Sequence, residues 1–134
     1  MLGDTSGTAV PAGYVGEIKT VTYATTLVAN TWGTSSALSI GPGIYQVVLY
    51  SRTNGAASFA AAGFSIDSGA TTFSDLAIDS ANPNIVQAIT SSASDASFTG
   101  TFIINLTTTT NYYAKTRASS AVAGRVNMTF IRIA

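Results

Sequence analysis

Ser97-Phe98-Thr99-Gly100-Thr101-Phe102-Ile103-Ile104-Asn105-Leu106 is the stretch that decides the fold class. Phe98, Phe102, Ile104 and Leu106, with Gly100 between them, fall on one side of an extended chain, while Ser97, Thr99, Thr101 and Asn105 fall on the other. Successive side chains of a strand point to opposite faces, so this is the pattern of a half-buried strand. Residues 125–133 repeat it. Val126, Met128 and Phe130 alternate with Arg125, Asn127 and Thr129, until Ile131 and Ile133 break the rhythm and predict contacts on both faces.

Residues 44–50 differ, because Val47 and Leu49 point opposite to Val48 and Tyr50. Two apolar faces predict a central strand buried on both sides. Gly41-Pro42-Gly43 marks a turn before it, joining it to a short strand over 37–40. Further strands are expected over 14–23, 25–29, 58–66, 75–78, 84–90 and 110–118, windows dominated by Thr, Val, Ile, Tyr and Phe. Residues 56–62 are rich in alanine, but Gly55 and Gly63 flank them and no 3.6-residue stripe emerges, so they too read as strand. The expected fold is all-β, a jelly-roll-like β-sandwich of about eight to ten strands. One domain fills 14–134. Residues 1–13, made largely of Gly, Thr, Ser and Ala, read as an extended N-terminal arm.

Charge is scarce. Lys, Arg, Asp and Glu make up 9% of the chain, against roughly 25% in ordinary soluble proteins, and six basic residues cancel six acidic ones. A surface with so little charge favours contact over repulsion, so burial in a quaternary interface is expected. Nucleic-acid binding draws on clustered Lys and Arg, and none is visible. Lys115 and Arg117, the closest basic pair, are expected on a solvated edge. No stretch approaches the roughly 18 apolar residues of a membrane span, and the first residues lack the pattern of a secretory signal.

Without His or Cys the usual general bases and soft metal ligands are missing, so no catalysis, metal or cofactor is expected. Asp67, Asp75 and Asp79 are the clustered carboxylates, but each sits in a turn signal, where Asp caps its own backbone. Trp32, in a polar linker, either closes the core or anchors a partner. Tyr112 and Tyr113 are adjacent and point to opposite faces, which puts one of them outside the core.

Several landmarks follow one another in a familiar order: Val10-Pro11-Ala12-Gly13-Tyr14-Val15-Gly16-Glu17, Leu38 and Ile40, Gly43-Ile44-Tyr45-Gln46-Val47, Phe64-Ser65-Ile66, Thr107–Thr110 leading to Asn111-Tyr112-Tyr113, and a closing strand over 126–133. This series resembles a family of tailed-bacteriophage structural domains found in tail fibres and virion decoration proteins, similar in plan to tumour-necrosis-factor and C1q-like jelly rolls. The resemblance spans nearly the whole chain and rests on short motifs. It implies a virion structural protein, made in the host cytoplasm, that cements the outer capsid surface by bridging major capsid subunits. It also implies a homo-oligomer, trimer before dimer. The short lead before the domain favours decoration over the alternative, a saccharide-binding tail-fibre domain using Trp32 or Tyr113. The expected interface residues are Leu2, Val10, Pro11, Trp32, Tyr113, Ile131 and Ile133.

Overall fold

The computed structural model describes residues 11–55, 60–66, 85–89 and 95–134. Nine strands occur among them: β1 (Ile18–Thr26), β2 (Gly33–Thr34), β3 (Leu38–Ile40), β4 (Gly43–Asn54), β5 (Ala60–Ser65), β6 (Ile85–Ile89), β7 (Asp95–Leu106), β8 (Thr110–Ala118) and β9 (Ala123–Arg132). They form two antiparallel sheets, one of four strands in the order β1-β9-β4-β7 and one of five, in which β8 carries both β2 and β3 on one edge and is followed by β5 and β6. The fold is an all-β sandwich.

The period-two pattern explains the core. Tyr45, Val47 and Leu49 of β4 and Val126, Met128 and Phe130 of β9 project inward from the first sheet. They meet Ala62 and Phe64 of β5, Tyr112 and Ala114 of β8, and Ile40 of β3. Phe64 ties the layers together, its ring lying 5.6 Å from Phe102, 5.7 Å from Tyr112 and 6.1 Å from Phe130. These separations fall in the range where tilted and edge-on aromatic pairs attract beyond their area burial. Phe102, Ile104 and Leu106 pack against this core from β7 as expected, with Thr101 and Asn105 exposed. The side chain of Phe98 lies outside the description, as does the strand expected over 75–78.

The structure corrects three expectations. First, β4 is central but buried on one face alone: Val48 is half-buried and Tyr50 exposed on the other. Among the described residues the strand buried on both faces is β5, at all six of its positions. Second, Lys115 is not on a solvated edge. It is fully buried, its ammonium donating to Thr34 Oγ1 at 3.3 Å, and it lies opposite Gly63, which has no side chain to obstruct the aliphatic stem. Arg117 is half-buried, with its guanidinium 6.0 Å from the Trp32 ring centre. Third, residues 14–17 are turn rather than strand, and the strands expected over 14–23 and 25–29 are the single strand β1 with the residues that follow it.

Gly41-Pro42-Gly43 makes its turn, but β3 pairs with β8 while β4 pairs with β7 and β9. The turn therefore carries the chain from one sheet to the other. The Tyr45 hydroxyl donates to Gly41 O at 3.0 Å and accepts from Arg132 Nη1 at 3.0 Å. Gly43, at φ +151°, leaves room for that guanidinium, whose Cζ lies 2.8 Å from where a Cβ would stand. At the opposite end the interior changes to Ser51, Thr53, Thr116 and Gly124 beside Leu27, Ala118 and Val122.

Candidate functional site

The outer face of the β1-β9-β4-β7 sheet is built row by row from the register. Ile18 pairs with Ile131, Ile131 with Gln46 and Gln46 with Ile103, forming one row across four strands. The next row is Thr20, Thr129, Val48 and Thr101, in which the Thr20 and Thr129 hydroxyls hydrogen-bond each other. Ile133 extends the apolar end, its amide donating to Ile44 O at 2.8 Å. Ile18 is 65% exposed, Ile103 62% and Ile133 43%. Scattered surface apolar residues are ordinary, but Ile18, Ile131 and Ile133 gathered at one end of a sheet face, with Ile103 across Gln46 from them, mark a candidate contact surface.

Residues 11–17 close this end. The Tyr14 amide donates to Pro11 O at 3.3 Å and the Glu17 amide to Tyr14 O at 3.0 Å, giving consecutive turns with Gly13 and Gly16 at φ +86° and +93°. The Glu17 carboxylate is nearly buried; Oε2 accepts from the Gly13 amide at 2.7 Å and Oε1 lies 3.4 Å from Lys19 Nζ. Reciprocal backbone bonds, Gly16 N to Arg132 O at 2.8 Å and Arg132 N to Glu17 O at 2.9 Å, fasten the segment to β9. Tyr14 and Val15 are held exposed as a result, and Pro11 beside them is exposed too.

Farther along the same face the chemistry changes. Thr22, Asn127, Tyr50 and Thr99 share one row, and Ala24, Arg125, Arg52 and Ser97 the next. Tyr50, Arg52, Asn54, Arg125, Asn127 and Thr26 line an open depression of about 750 Å³. Its floor is central sheet, since β4 and β9 are paired on both edges.

The expected interface residues divide. Ile131 is half-buried in the apolar row and Ile133 exposed at its end, so the structure brings these two together. Trp32 is 4% exposed, closing the sandwich edge rather than facing outward. Tyr113 is half-buried opposite Ser65 on the other sheet, away from this face. Leu2 and Val10 lie outside the described residues, as do Asp67, Asp75 and Asp79. Sequence reasoning missed Ile18, Ile103, Arg52 and Arg125. Ile103 carried a usable signal, being an isoleucine on the polar side of its strand. The arginines carried none, because 73 positions separate Arg52 from the partner that the register sets opposite it.

Among the described residues no three Asp, Glu, His or Cys side chains gather as metal ligands, and no helix is long and apolar enough to cross a membrane. No family model matches the chain, and no curated protein does.

Proposed function

We propose that this protein is a non-catalytic structural component of a larger assembly, and that the assembly is a bacteriophage particle whose capsid it decorates and cements by bridging major capsid subunits. The observation that carries this reading is the difference between the two sheets. β5 in the second sheet is buried on both faces, whereas the first sheet leaves Ile18, Ile131, Ile103 and Ile133 together on an uncovered face. With 9% charged residues the chain has little else to keep such a face in water. Covering it with another subunit removes apolar area at about 25 cal/mol per Å².

The choice of a phage capsid rests on the resemblance in the sequence. The strand order β1-β9-β4-β7 against β2-β8-β5-β6 supports a jelly roll as the finer form of the sandwich, the plan which that resemblance implies. Homo-oligomerisation, trimer before dimer, belongs to the same proposal. A protein that binds the assembled shell and not its free subunits stabilises the shell by mass action, and repeated copies strengthen the attachment through multivalency.

The test is the double variant Ile18→Asp/Ile103→Asp. Both side chains are mostly exposed, so the unfolding midpoint stays close to wild type, with each change within about 0.5 kcal/mol. Occupancy on purified phage heads lacking the native protein is expected to collapse in a co-sedimentation assay. Undiminished occupancy by a folded variant overturns the assignment of this face.

A further inference from the structure

We propose that the polar end of the same sheet face is a binding site for a carboxylate-bearing sugar, such as a uronic or sialic acid. The inference starts from the fate of the six basic residues. Lys19 pairs with Glu17, Lys115 is buried against Thr34, Arg117 faces the Trp32 ring and Arg132 holds Tyr45. Arg52 and Arg125 are set directly opposite each other on neighbouring strands, both exposed. Like charges directly opposite across a sheet oppose its pairing, and an anion held at Arg125 relieves that opposition. Arg52 has a further contact within the chain, whereas the Arg125 side chain has no hydrogen bond or ion pair among the described residues. Arg125 is therefore the principal carboxylate ligand, and its planar fork suits a bidentate contact.

The surroundings select a sugar over a peptide. A peptide gains affinity by adding to a free strand edge or by filling apolar pockets. Here the two arginines stand on β4 and β9, interior strands with both edges paired, so a peptide cannot add as a strand beside either of them. The depression instead offers the Asn54 and Asn127 amides and the Thr26 hydroxyl for sugar hydroxyls, and the exposed Tyr50 ring for the apolar face of a pyranose. Its volume of about 750 Å³ lies within the range of ordinary small-molecule sites. In the backbone register Asp95 stands opposite Asn54, one row beyond the arginines, so the row that holds the two cations is the one suited to the carboxylate.

The experiment is an NMR titration of the full chain with glucuronic acid, N-acetylneuraminic acid, glucose, acetate and a short poly-glutamate peptide. At least one of the two acidic sugars is expected to give saturable shifts at residues 50–54 and 123–127, with glucose and acetate weaker by roughly tenfold or more. Arg125→Gln is expected to weaken that binding by roughly tenfold or more while leaving the unfolding midpoint unchanged or slightly raised. Ile18→Asp/Ile103→Asp should retain sugar binding, which separates failure here from failure of the assembly reading. Three results overturn the site: no saturable binding of either acidic sugar; acetate binding as tightly as the sugars; or saturation by the peptide alone.

Discussion

Gly124 faces Leu27 across the small-residue end of the sandwich, and replacing it with alanine tests whether that end is packed as tightly as the geometry states. An added Cβ stands 2.6 Å from Leu27 Cδ1 and 2.8 Å from its Cγ, closer than van der Waals contact permits. Leu27 has little freedom to retreat. It is 2% exposed, packs with Ala118 and Val122, and its amide donates to Val122 O at 2.8 Å. Overpacking of this kind costs about 1–3 kcal/mol. Leu27→Ala removes the obstacle and by itself costs about 2–5 kcal/mol through the cavity it leaves. In the double variant Gly124→Ala/Leu27→Ala the added methyl group occupies space that the leucine has vacated, so the combined loss falls short of the sum by about 0.5–3 kcal/mol. Equilibrium urea unfolding of the four proteins measures that coupling, provided the m-value is unchanged across the set. Strict additivity, or a Gly124→Ala protein as stable as wild type, refutes the close approach.

Phe64→Ala removes the ring that joins both sheets and is expected to cost about 3–5 kcal/mol in the same assay. Glu17→Gln keeps an acceptor for the Gly13 amide but loses the charge that strengthens this bond and pairs with Lys19; a cost of about 1 kcal/mol is expected, together with faster hydrogen exchange at the Gly13 amide. Burial pushes the Tyr112 phenol above the usual tyrosine range. The unfolded chain then releases this proton first, so the stability linked to Tyr112 is intact below about pH 10 and declines as pH climbs through the raised folded-state value. Tyr112→Phe should flatten the alkaline fall of the urea midpoint.

Alternation within single strands was legible because a strand with one buried face writes its orientation into every second residue. Phe102, Ile104, Val126, Met128 and Phe130 are where that rule puts them. What a neighbour does to a face is not written locally. Val48 and Tyr50 read as buried because they are apolar, yet no described residue packs over them as the core does over Val47 and Leu49. Lys115 read as solvated because it is charged, yet it is fully buried on a strand whose pairing sets it opposite Gly63, 52 positions earlier. Trp32 had two open readings, and its place at the sandwich edge follows from β2 pairing with β8, a contact no local pattern announces. The candidate face was half legible. Ile131 and Ile133 stood out at the end of their strand, while Ile18 and Ile103 join them through pairings that only the sheet order supplies.

An image at side-chain resolution of the phage particle proposed to carry this protein tests the central claim most directly. The account predicts density from a major capsid subunit packed against Ile18, Ile131, Ile103 and Ile133. Solvent over those four isoleucines in every copy contradicts it.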